Sequence, residues 1–191
     1  MENRVIAAFE ESIEVKKQFA KKQLKSIISL ATLVSETFSR GGKLLLFGNG
    51  GSAADAQHVA AEFVNRFQIE RPPLPAIALT TDTSIITSIG NDYDFSDIFS
   101  KQVKALGQKG DIVIGISTSG NSVNVLKGIE AALSMGAYTV GLTGKDGGEI
   151  AKRVDMNLNV ESNTTARIQE THITVCHILC DLVDQKLFGS M

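Results

Sequence analysis

The run Lys43-Leu44-Leu45-Leu46-Phe47 is short, continuously apolar and bounded by glycines, the pattern of a strand buried on both faces of a parallel sheet. It gives way to the turn Gly48-Asn49-Gly50-Gly51, then to an alanine-rich stretch from Ser52 to Phe67 that lacks Gly and Pro and reads as a helix. The unit recurs. Pro75–Leu79, Asp111–Ile116, Tyr138–Leu142 and Asp155–Val160 read as further strands, and segments of helical periodicity separate most of them. Strands alternating with helices predict an α/β fold, a single doubly wound, flavodoxin-like domain of about five parallel strands with helices on both faces. In the last run Met156, Leu158 and Val160 alternate with Asn157 and Asn159, so one face meets water and the strand belongs at a sheet edge, whereas Pro75–Leu79 reads as buried.

Residues 2 to 40 contain no Gly or Pro and predict one long helix or two, stopped by Gly41-Gly42. Leu24, Ile27, Ile28, Ala31, Val34 and Phe38 make the second half amphipathic, and Val5, Phe9 and Ile13 do so more narrowly at the start. This N-terminal extension (1–40), preceding the α/β core (43–188), suits packing against another subunit. Thr83–Ile89 predicts a short helix ended by Gly90-Asn91-Asp92, and Phe95, Ile98, Phe99, Val103 and Leu106 mark the next. Val125, Leu126, Ile129, Ala132 and Leu133 stripe another helix. The last, Thr164 to about Leu187, turns Ile168, Val175, Ile178, Leu179 and Leu182 to the core.

A net charge of -2 gives no global push toward nucleic acid or an anionic membrane. Lys16, Lys17, Lys21, Lys22 and Lys25 follow Glu10, Glu11 and Glu14 and read as a solvated helical face. No apolar run approaches the ~20 residues of a membrane span, and the N-terminus lacks a signal-peptide core, so a cytoplasmic protein is expected. Cys176 and Cys180 lie one helical turn apart without a second pair to complete a zinc site, and are expected to be reduced core thiols.

Chemistry concentrates in three places. After the glycine turn, Ala56, Val59, Ala60, Phe63 and Phe67 form a core stripe, while Asp55, His58, Glu62 and Arg66 stack on another face. Alone, His58 and Glu62 are an ordinary solvated i,i+4 pair; beside a turn whose amides can approach an anion, they suit proton transfer or a metal. Second, the third strand runs into Ser117-Thr118-Ser119-Gly120-Asn121-Ser122 and a helix. One serine capping that helix leaves three hydroxyls unexplained, which points to a phosphate at the helix N-terminus. Ligands of such sheets bind beyond the carboxyl ends of the strands, where the loops at Gly48, Asn91, Ser117 and Gly144 gather. A small phosphorylated substrate is therefore expected. Gly48-x-Gly50-x-x-Ala53 also matches the loose dinucleotide fingerprint, but the nearest acid of the second strand, Asp82, lies well past the usual spacing of about 20 residues.

Third, the remaining histidines, His172 and His177, fall on the last helix near Gln169 and Glu170. Imidazole, carboxylate and amide oxygen are plausible zinc ligands. Gln169 and His177 are separated by about 12 Å along a helix and about 80° around it, which makes a site completed across a subunit interface attractive. His172 is expected to be structural.

Gly48 to Glu62, Gly90-Asn91-Asp92, Ser117 to Ser122, Thr143-Gly144-Lys145-Asp146-Gly147-Gly148 and Ala166-Arg167-Ile168-Gln169-Glu170 together resemble the sugar isomerase (SIS) domain family, in its phosphoheptose isomerase branch. The resemblance covers nearly the whole chain. It implies a cytoplasmic homotetramer that converts sedoheptulose 7-phosphate into D-glycero-D-manno-heptose 7-phosphate through an enediol, toward the heptose of lipopolysaccharide or related polysaccharides. It further implies one zinc ion per subunit at His58, Glu62, Gln169 and His177. Glu62 is then the catalytic base and His177 the acid. Substrate contacts are implied at Asn49, Gly50, Gly51, Ser52, Glu62, Asn91, Asp92, Ser117, Thr118, Ser119, Ser122 and Gln169, with sites shared between subunits. A sister group resembling the chain at Arg71-Pro72 and Ala166 to Glu170 binds the bacterial replication initiator as a tetramer. That group lacks the residues present here at Glu62 and His177. A sensor or an isomerase for another phosphosugar is the other alternative.

Overall fold

In the computed structural model, which describes residues 1–189, the five apolar runs form one parallel sheet. Its strands are β1 (Leu44–Gly48), β2 (Ala76–Ala78), β3 (Ile112–Ser117), β4 (Tyr138–Gly144) and β5 (Met156–Val160), in the order β2-β1-β3-β4-β5. The chain steps from β1 outward to β2 and then crosses back to β3. The order thus reverses between β1 and β3, the switch point at which loops of such sheets diverge into a crevice. Their register pairs Gly48 with Ile116, so the glycine turn and the Ser117 loop leave the sheet side by side.

The helices are α1 (Glu2–Ser39), α2 (Gly51–Val64), α3 (Thr83–Asp92), α4 (Ile98–Leu106), α5 (Val123–Ser134), α6 (Gly148–Ala151) and α7 (Thr165–Phe188). Alternation along the strands sends Leu44 and Leu46 to one face of the sheet and Leu45 and Phe47 to the other. On the first face α1, α2 and α7 cover the sheet; α3, α4, α5 and α6 cover the second. Gly115 lets α5 lie close to β3, since a Cβ there would sit 2.9 Å from Val125 Cγ1.

Of the two alternatives for residues 2 to 40, the single long helix is the one present. Several other local expectations change. β2 is an edge strand of three residues with Ile77 exposed, rather than buried throughout. A strand with a single neighbour needs apolar side chains on one face only. α3 runs on through Gly90, Asn91 and Asp92, its start capped by Asp82, which accepts the Ile85 N–H at 2.9 Å. The short α6 was not foreseen, because Gly147 and Gly148 lead into it and four residues are too few to show a helical period. Ile178, Leu24 and Ile28 are exposed, so the apolar faces of α1 and α7 are broader than the core they meet in one chain. Cys176 and Cys180 are free and buried, and burial pushes the Cys176 thiol up to about 12. Both are inert core residues.

Candidate active site at the carboxyl edge of the sheet

The glycine turn owes its shape to Gly50, whose φ of 54° and ψ of -121° fall outside the range of L side chains. α2 starts at once, with the Ser52 and Ala53 amides donating to the carbonyls of Asn49 and Gly50, each at 3.0 Å. Asn49, Gly50 and Gly51 stay exposed, while Ser52 is buried beneath the turn against Gly48. The Gln169 amide lies over Gly51, where a Cβ would collide with it.

Beside this turn, β3 ends at the buried Ser117, whose Oγ is 2.9 Å from Ser122 Oγ and 3.4 Å from Ser119 Oγ. Ser122 occupies the cap position of α5, yet its hydroxyl does not cap the helix. The hydroxyls bond one another instead of capping α5, an arrangement of donors at a helix amino end suited to an anion. Backbone ties hold the loop, with Ile150 donating to the Gly120 carbonyl and Glu149 to Asn121 Oδ1, both at 3.0 Å. Asn49 and Asn124 exchange two side-chain hydrogen bonds of 2.8 Å and so join the glycine turn to α5.

A cluster of titratable side chains forms where α2 packs on α7. His58 Nε2 lies 3.2 Å from Glu62 Oε1 and 3.2 Å from His177 Nε2, across 119 residues of sequence. Phe67 packs against the core as expected, and also stacks on His177 with ring centroids 5.5 Å apart, which shields this imidazole. Asp55, one turn before His58, has its carboxyl pushed up by burial, against the lowering influence of His58 and His177. Sequence reasoning missed Phe67, because its spacing fits the core stripe equally well.

The other predicted residues are distributed as follows. Asn91 and Asp92 are exposed at the end of α3, the Asn91 amide donating to Asp92 Oδ1 at 2.8 Å. Thr118 and Ser119 are half-buried in the hydroxyl loop. Gln169, on α7, lies over Gly51, which precedes His58 by seven residues of α2, on the order of 10 Å along that helix axis. His172 is buried, and its Nε2–H donates to the Thr143 carbonyl at 2.9 Å. Burial pushes its pKa down to about 4, so it holds α7 to β4 as a neutral imidazole.

Among the described residues no three His, Cys, Asp or Glu side chains close into a ready-made metal centre. His58, Glu62 and His177 form a string through His58 instead of a ring. Their donor chemistry nonetheless suits zinc. The 3.2 Å separations are close to the edge of a zinc tetrahedron, about 3.3 Å for ligands at about 2.0–2.1 Å.

The model of the SIS domain matches residues 9–144. The chain belongs to the SIS domain family. Over 188 residues this SIS protein is 55% identical to a protein named phosphoheptose isomerase from Thermodesulfovibrio yellowstonii, a match covering 98% of this chain and 94% of that one. A protein of the same name from Trichlorobacter lovleyi is 63% identical over 163 residues, 85% of this chain and 83% of its own. The solved structure of a phosphoheptose isomerase from Neisseria gonorrhoeae superimposes with a TM-score of 0.91 at 48% identity, covering 96% of this chain and 98% of that one.

Proposed function

We propose that this SIS protein is a phosphoheptose isomerase, an aldose–ketose isomerase converting sedoheptulose 7-phosphate to D-glycero-D-manno-heptose 7-phosphate. Such a reaction needs a grip on the phosphate and, several carbons away, a base and an acid that shuttle protons between C1 and C2. The observation that carries the reading is the union of Glu62, His58 and His177 at 3.2 Å contacts where α2 meets α7, in a chain whose sheet edge bears the linked hydroxyls of Ser117, Ser119 and Ser122.

Ser117, Thr118, Ser119 and Ser122 hold the phosphate at the amino end of α5, with Ser52 supporting the turn from below. Asn49, Gly50, Gly51, Asn91, Asp92 and Gln169 contact the sugar. Glu62 removes the proton from C1 of the ketose and returns it at C2, passing through the enediol. His177 gives a proton to the C2 carbonyl oxygen as the enediol forms, and takes one back from the O1 hydroxyl as the aldehyde appears, so both groups end the cycle as they began it. Phosphate contacts made far from C1 supply the binding energy that orients the reacting carbons. Zinc, one ion per subunit, would be held by His58, Glu62 and His177 with Gln169 as the fourth donor, and supplies polarisation of the carbonyl when bound.

The assembly is a cytoplasmic homotetramer whose subunits share sites, and the heptose goes toward lipopolysaccharide or another surface polysaccharide. Support for the assembly comes from α1. Val5, Ile6, Phe9 and Ile13 are exposed, and a groove of about 420 Å³ runs between that face and Arg167 and Glu170 of α7. No helix among the described residues is long and apolar enough to cross a membrane. The deciding experiment incubates purified protein with sedoheptulose 7-phosphate, with and without a chelator, and identifies the product. Formation of the aldose phosphate, reduced by the chelator and restored by Zn²⁺, supports both reaction and metal. An inert protein that retains the replication initiator overturns the reading.

A further inference from the structure

Asn49 stands exposed in the glycine turn, whereas Asn124, its partner in the reciprocal amide pair, is 5% exposed. Each primary amide has two N–H donors and one carbonyl oxygen with two lone pairs. The pair spends one donor and one lone pair on each side, in bonds of 2.8 Å. Asn124 Oδ1 also accepts the backbone N–H of Val125 at 2.9 Å. That third bond removes the usual ambiguity of an amide, because the Val125 N–H can face an oxygen but not an NH₂ group. With Asn124 oriented by the backbone of α5, its NH₂ must meet Asn49 Oδ1 and its oxygen must meet Asn49 Nδ2. Asn49 is left with one N–H and one lone pair to offer the cleft, in an order it cannot reverse.

We infer that Asn124 is a positioning residue, which sets the amide of Asn49 so that donor and acceptor are presented to the sugar in one fixed order. The inference rests on the proposed role of Asn49 as a substrate contact. It also makes the glycine turn and the amino end of α5 a single rigid unit, so the sugar contact and the phosphate grip share one frame. A buried amide serving only to fill space would have no reason to act through Asn49.

A double-mutant cycle on kcat/KM for the heptose phosphate tests this, using N49A, N124A and the double variant. N124A should lower kcat/KM about tenfold in the wild-type background and have almost no effect in the N49A background. Equal losses in both backgrounds overturn the positioning role while leaving Asn49 as a contact. Normal kinetics for N49A overturn the substrate-contact reading itself, and the inference with it. N124D tests the same point in an isosteric side chain. It keeps the acceptor for Val125 but sets a carboxylate oxygen against Asn49 Oδ1, and should raise KM in the wild-type background far more than in N49A. In the wild-type protein, NMR of the side-chain amides should show slowly exchanging protons on both residues and a close contact between them. Rapid exchange with free rotation of the Asn49 amide overturns the lock, whatever the variants do.

Discussion

Glu62 and His172 illustrate how differently two titratable side chains can serve one fold. Glu62 is partly open to solvent beside His58, and as the proposed base its carboxylate cannot be replaced by an isosteric amide. Glu62→Gln should reduce kcat by about 10²–10⁴-fold with the fold intact, measured as turnover alongside circular dichroism; near-normal turnover excludes the base role. His172 is buried and neutral, with its folded pKa depressed to about 4 from 6.5. The unfolded chain therefore binds more protons between those values, so stability is full above about pH 6.5 and falls as pH drops toward 4. Urea unfolding should show a loss of roughly 3 kcal/mol across that window, and His172→Gln should flatten the dependence. The i,i+4 spacing of His58 and Glu62 made their pairing legible before the fold was known. Phe67 and Asn124 were not, since an aromatic in a core stripe and an asparagine near a helix start have many ordinary reasons to be there.

At the level of elements, a buried arginine ties the end of α2 to α7. The Arg71 guanidinium donates to Asp184 Oδ1 at 2.8 Å, to the Phe63 carbonyl at 2.7 Å and to the Glu62 carbonyl at 2.9 Å. It thus gives the Glu62 carbonyl at the helix end a donor, and the Phe63 carbonyl a second one beside the Leu74 N–H. Arg71→Leu strands the Asp184 carboxylate, and should cost about 3–5 kcal/mol in urea unfolding. Arg71→Lys, lacking the planar fork, should recover only part of the loss. A cost below 1 kcal/mol would show that the tie is dispensable. In the sequence Arg71-Pro72 stands out only as a segment shared with the sister group, and its structural role was hidden because the bond partner lies 113 residues away. Strand order was legible for β5, whose alternating asparagines require an edge. It was not for β2, since Ala76-Ile77-Ala78 is apolar at every position whichever face is covered.

For the molecule as a whole, the open question at the surface is what covers the first three turns of α1. Burial along this helix begins at Phe19, yet apolar residues begin at Val5. Under the proposed tetramer that face is an interface. The double variant Phe9→Asp with Ile13→Asp should then dissociate the assembly, read by sedimentation, and lower activity as shared sites are lost. Retention of a tetramer with full turnover would move the interface elsewhere.

One consequence follows from α7. Ile168, Val175, Leu179 and Val183 seal the layer of side chains beneath the sheet, and His177 rides on the same helix. A nascent or clipped polypeptide that has not yet docked this segment thus leaves the sheet face uncovered and lacks the proposed acid. Under the proposed mechanism, completion of the core and catalytic competence arrive together.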